Sequence, residues 1–345
     1  MNYPIYTILD WIDINKLDWG GLSNNPNLNA INFYKQNKDK INYQLLLEND
    51  HPNAIKILKE NPDKIDWFEL SRNPNAIKLL KQNFDKIDWN TLSFNPNAIE
   101  IFKNNLDKVN WKQLAINSNP QVIEILKEHP KQIDWLYISI NPNAIELLKE
   151  NIDKIDWPRL CLNPNGIQIL KDYPDKINWY ILSENINAIE LLKENIDKIN
   201  WDKISSNPNA IEILKDNPNY INWDNLSKNP SAIDLLNKNK NYINWDNLSF
   251  NSNAINILKE NPDKINWENL SSNINPEAIE LLKANQDKID WSYLSSNPNI
   301  FKLDYKQMNK NFEPFYYEII EKALHPNRIS TYLEQYNFDV DDMFD

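Results

Sequence analysis

Tryptophan recurs along this chain with a fixed stride. It stands at 67, 89 and 111, then at 135, 157, 179, 201, 223, 245, 267 and 291. The stride is 22 residues, except for the steps 111→135 and 267→291, which are 24. Two further steps of 24 toward the N-terminus reach Tyr43 and Trp19, so thirteen anchors mark thirteen units. Self-similarity at such a period is the signature of a stacked repeat architecture. Each short unit buries its apolar face only against its neighbours, so one extended array replaces the two or three globular domains that 345 residues would otherwise suggest.

The unit reads DKIDWFELSRNPNAIKLLKQN from Asp63 to Asn83. Asp66 is suited to cap a short helix on which Trp67 and Leu70 share a face. Asn73-Pro74 reads as the cap and first residue of a second helix, with Ala76, Ile77, Leu79 and Leu80 on one side. Asn83 reads as its stop, through the left-handed conformation that Asn tolerates. The extra pair of residues falls between the two helices after Trp19, Tyr43, Trp111 and Trp267, which marks a surface turn there. The expected fold is an all-α, right-handed-type α-solenoid of about thirteen two-helix repeats with N- and C-terminal caps. Its divisions are a cap at 1–18, the solenoid at 19–299 and a capping tail at 300–345. At ~8–10 Å per helix layer the array is expected to be an open rod or superhelix roughly 100–120 Å long. A leucine-rich repeat is the alternative, weakened because the strand pattern L-x-L is missing.

Comparison between columns separates frame from variation. The Trp column (Trp67, Trp89 and Trp157 among others) and the Asn column (Asn73, Asn95 and Asn141 among others) are nearly or fully constant. They read as core and as a capping ladder rather than as stacking platforms or ligand sites. Cys161 occupies a column otherwise filled mostly by Ser and reads as a packed thiol. Function is expected where the repeat varies. The residue before the constant Asn is polar in many repeats but Phe94, Ile116, Ile140 and Leu162 in four successive ones. The two residues after Trp become Leu136-Tyr137 and Tyr180-Ile181 in mid-chain. These eight residues are the candidate partner-binding surface, since contiguous exposed apolar area marks interaction sites. A lesser candidate is a docking tail carrying His325 and Arg328 before the acidic end at Asp339–Asp345; the apolar stripes Phe315, Tyr316, Ile319, Ile320, Ala323 and Ile329, Tyr332, Leu333 read more simply as a cap.

The unit DKIDWxxLSxNPNAIxLLKxN resembles repeats common in proteins of giant DNA viruses that infect amoebae and algae. The start ILDWIDINKLDWGGLSNNPN and the tail from EPFYYEIIEKALHPNRIS onward resemble the ends of those proteins, so the likeness covers essentially the whole chain. The resemblance implies a viral origin and a helical repeat architecture, and it implies no catalytic activity.

Charge and composition narrow the function further. The net charge is −12, which disfavours phosphate backbones and anionic lipid. Three glycines cannot build a phosphate loop. His51, His129 and His325 have no zinc spacing, so no metal, cofactor or catalytic residue is expected. One cysteine suits a reducing compartment, and the N-terminus reads as neither signal peptide nor membrane span. The expected role is a non-enzymatic scaffold or adaptor for an unknown host or viral protein, in host cytoplasm or virion. A virion structural or cementing component is the alternative, and RNA association a weaker one.

Overall fold

The computed structural model describes residues 6–27, 30, 37–49 and 52–336. His51 and the acidic end at Asp339–Asp345 lie outside the described residues, as do the side chains of Ile319, Tyr332 and Leu333. The chain is an all-α repeat solenoid that divides into two compact units, 13–300 and a second made of 1–12 with 301–345. The two units part at 12 and 300; the sequence placed its divisions at 18 and 299.

Most repeats of the larger unit hold three elements rather than two. A first helix such as Trp67–Arg72 starts at Asp66, whose carboxylate accepts the amide of Phe68. A second helix follows, here Ile77–Gln82, and then a 3-10 turn, here Phe84–Lys86. Helices this short are marginal alone, and packing sustains them. Leu70, Ala76 and Leu80 are fully buried, and Ile65 and Leu79 nearly so. In repeats with the two-residue insertion the extra pair lengthens the second helix, as in Pro52–Glu60 and Pro276–Ala284.

Two local expectations need correction. Asn83 ends its helix at φ −130°, not in the left-handed region. It caps by reaching back, its side-chain amide donating to the carbonyl of Leu79 at 3.0 Å. Nor does Asn73 cap the second helix, which begins at Ile77 without a side-chain cap. Its oxygen accepts the amide of Asn75 at 3.0 Å, closing an Asx turn. Its NH2 group crosses to the preceding repeat and donates to the carbonyls of Leu47 and Asn49.

That crossing is the rule of the fold. Asn95 donates to the carbonyls of Ser71 and Asn73 at 3.0 and 2.9 Å, and Asn163 to those of Ser139 and Asn141 at 3.1 and 2.9 Å. The serine column forms a second ladder. The Ser71 hydroxyl donates to the carbonyl of Trp67 at 2.7 Å and accepts the amide of Asp88, in the next repeat, at 3.0 Å. Cys161 fits the same slot, buried, with its thiol against the backbone amide of Asn178. Burial pushes that thiol up from its ordinary value, against the smaller opposite pull of the amide. Ala115 is equally buried but carries no hydroxyl. Ala115→Ser should therefore add a rung and raise stability by about 1 kcal/mol. The check is the denaturant midpoint at unchanged slope; an unmoved or lower midpoint would show that the slot does not accept the hydroxyl.

The tryptophans are half-buried at one rim rather than in the core. A cation from the next repeat covers each of several rings: Lys86 lies over Trp67 at 4.9 Å, Lys154 over Trp135 and Lys198 over Trp179. Tyr220 and Tyr242 replace the lysine by stacking on Trp201 and Trp223. Each such exposed contact contributes about 0.5–1 kcal/mol.

The expected open rod is a closed ring. The first helix of the first repeat, Trp19–Ser23, packs against that of the last, Trp291–Ser295. The serine, asparagine and cation contacts of an ordinary junction recur there. The amide of Asp18 donates to the Ser295 hydroxyl at 2.8 Å. Asn25 donates to the carbonyls of Ser295 and Asn297 at 2.8 and 3.0 Å, and Asn27 to that of Pro298 at 2.8 Å. Lys16 lies 5.2 Å above the Trp291 ring. The unit therefore has thirteen junctions for thirteen repeats, with a mean turn of about 28° each, and no end layer that needs shielding.

That removes the reason to read the tail as a cap over the last Trp layer. The smaller unit pairs strand Tyr6–Ile8 antiparallel with Phe301–Leu303. Helices Tyr305–Ala323 and Pro326–Tyr336 follow, leaving Phe315, Tyr316 and Ile329 exposed.

Candidate functional site

Among the described residues, first helices of neighbouring repeats pack directly on one another around most of the ring, whereas second helices approach as closely only at Ile255–Glu260 and Pro276–Ala284. The closer-spaced layer lies on the shorter arc, so first helices line the inside. Thirteen steps of roughly 8–10 Å close a circle roughly 35 Å across between helix axes. Subtracting one helix diameter of about 10–12 Å leaves an opening roughly 20–25 Å wide. On each first helix the third and fourth places after the anchor, mostly Leu and Ser, are buried in the core. The first, second and fifth places fall on the opposite face, toward the opening.

All eight candidate residues occupy those three places. Phe94, Ile116, Ile140 and Leu162 are the fifth-place residues of four consecutive repeats. Leu136 and Tyr180 hold the first place, and Tyr137 and Ile181 the second. Phe94, Leu136 and Tyr180 are exposed, and the other five are half-buried. The sequence pattern thus becomes one apolar arc spanning the fourth to the eighth repeat on the inner face. Aromatic–cation contacts border it. The Arg159 guanidinium lies 5.6 Å over the Tyr137 ring. Lys203 lies 5.4 Å over Tyr180 and is ion-paired with Glu184. Hydrogen bonding from Glu184, helped by its charge and by Tyr180, holds the Lys203 amine above its ordinary value.

At the other end of the arc Phe94 lines a cavity of about 460 Å³ with Leu47, Glu69, Arg72, Pro96 and Ser118. The sequence reading missed these neighbours and also Phe68, exposed at the first place of its repeat. A signal for the cavity was present. The two-residue insertions after Tyr43 and Trp111 fall in the repeats that supply Leu47 and Ser118, so lengthened repeats flank two ordinary ones.

The remaining candidates do not join this arc. His325 accepts the amide of Asn327 and is exposed, as is Arg328. His129 packs against Trp111 at 5.3 Å. Among the described residues no three His, Cys, Asp or Glu are placed to hold a metal, and no helix is long and apolar enough to cross a membrane. No protein-family model, curated protein or solved structure matches the chain.

Proposed function

We propose that the repeat unit is a non-enzymatic scaffold that binds a protein partner through the apolar arc on its inner face. The supporting observation is the gathering of Phe94, Ile116, Ile140 and Leu162 into adjacent places on four consecutive first helices. Natural surfaces seldom leave such a row uncovered unless it binds something. Together with the repeat's resemblance to giant-virus proteins, this favours an adaptor acting in infected host cytoplasm or in the virion. The alternative, a virion structural or cementing component, draws less support from a unit that closes than it would from a long rod. Exposed carboxylates at Asp202, Asp224 and Asp246 on the same inner face oppose RNA.

The test replaces Phe94, Ile140 and Leu162 together with Ser. Their side chains leave the buried core intact, so the melting temperature should stay within about 2–4 °C, corresponding to about 1 kcal/mol. Partners captured from infected cells by the native chain should be lost. Retention of the same partners by the triple variant would move the binding surface elsewhere.

A further inference from the structure

The inner face has a second chemistry beside the apolar one. Immediately after the arc, the first place following Trp is Asp202, Asp224, Asp246 and Glu268 in four successive repeats, all exposed. Asn222, Asn244 and Asn266 donate to the three aspartates at 2.7, 2.7 and 2.9 Å. These donors are neutral, so they fix the carboxylates in place without neutralising them. Two cations share this stretch of the face: Lys203, engaged by Glu184, and Lys228. The stretch remains net negative.

We propose that the opening receives a cationic amphipathic helix, with its apolar stripe on the Phe94–Ile181 arc and its basic flank on the Asp202–Glu268 row. The proposal rests on the reading of the apolar arc as a protein-binding surface and supplies the chemistry of the partner. Charge complementarity argues for the basic flank. The mode of recognition follows from the walls. First-helix backbones spend their hydrogen bonds within and between repeats, so no strand edge is offered for an extended peptide to extend. Recognition must run through side chains, as when an apolar helix face lies in a groove. A helix of about 10–12 Å diameter fits an opening roughly twice as wide.

The probe is an 18-residue peptide of Leu and Lys at helical spacing, with a Leu/Glu peptide of the same pattern as its counterpart. Binding to the full chain is read by fluorescence anisotropy at low and moderate salt. The Leu/Lys peptide should bind one to one, and more weakly as salt rises. Asp224→Asn, Asp246→Asn and Glu268→Gln combined should weaken it about tenfold or more. The same charge change on the outer helices, Glu124→Gln with Glu146→Gln and Glu190→Gln, should leave affinity within about twofold. Equal losses from the inner and outer triples would reduce the effect to diffuse attraction and overturn the proposal. Equal binding of the Leu/Glu peptide would overturn the basic flank while leaving the apolar arc as a binding surface. Binding unaffected by the Phe94, Ile140 and Leu162 triple would sink the underlying reading itself. A self-associated chain that the apolar triple converts to monomer would assign the arc to a second copy and overturn the helix.

Discussion

Gly21→Leu should open the ring. At all other junctions the second place after the anchor carries a side chain, and in several repeats that side chain meets a carbonyl of the preceding repeat. Thr91 donates to Phe68 at 2.9 Å, and Asn225 and Asn247 do the same to Asp202 and Asp224. At the closing junction this place is Gly21. A Cβ there would stand 2.9 Å from the carbonyl oxygen of Ser292 and 3.0 Å from Ser295 Cβ and Ser296 Oγ. The carbonyl belongs to backbone, so rotamer adjustment cannot relieve the clash. Overpacking of this kind costs about 1–3 kcal/mol, and a full leucine should exceed what the junction can return. Hydrogen exchange is the discriminating measurement. Protection should collapse around 19–25 and 291–297 and persist between 157 and 229, because a solenoid with ends frays from them. Scattering should show a larger radius of gyration. Undiminished protection at both termini of the array would mean that the seam tolerates a side chain.

Asn163→Asp should be among the costliest isosteric changes in the ring. Asn163 is fully buried, and its NH2 group serves two carbonyl oxygens. A carboxylate would oppose both. Removing one partner from a buried polar set of this kind costs about 3–5 kcal/mol when the group left behind is charged. Burial also raises the folded-state pKa of the new carboxyl, so the native state binds more protons than the unfolded one. Stability then falls as pH rises from the unfolded value near 3.9, by about 1.4 kcal/mol per pH unit, until the folded value is passed. Asn163→Ala, which leaves carbonyls unmet but adds no charge, should lose about 1–3 kcal/mol with no such slope. Unfolding of both variants across pH separates the two; parallel curves would mean that water or a shifted backbone serves the carbonyls.

The repeat, its helices and its buried columns were legible because each has a local cause. Trp67 and Leu70 share a face by spacing alone, and Asp66 caps by chemistry alone. Closure has no local cause. A turn of about 28° per junction is spread over small offsets between layers, and no single column encodes it. Gly21 was visible in the sequence, but its meaning depends on Ser292, more than 270 residues away. The Asn column was complete in the sequence, yet its side chain has two ends. Its acceptor serves its own turn, which sequence suggests, while its donor serves the neighbouring repeat, which only stacking reveals. The apolar arc was legible as a break in polarity, and its place on the inside was not.

The asparagine ladder also bears on how this molecule ages. An asparagine side chain is lost when the amide nitrogen of the next residue attacks its carbonyl, leaving an aspartate. At Asn25, Asn73, Asn95, Asn141, Asn163, Asn207, Asn229 and Asn297 the next residue is proline, whose nitrogen bears no hydrogen and cannot complete that attack. The other ladder positions are followed by Asp, Ser or Ile, and none by glycine. The chain's one Asn-Gly pair, Asn165-Gly166, puts its exposed asparagine outside the ladder. Proline beside the rung thus serves durability as well as geometry: the side chains whose conversion to a carboxylate would most damage the ring stand where that conversion is slowest.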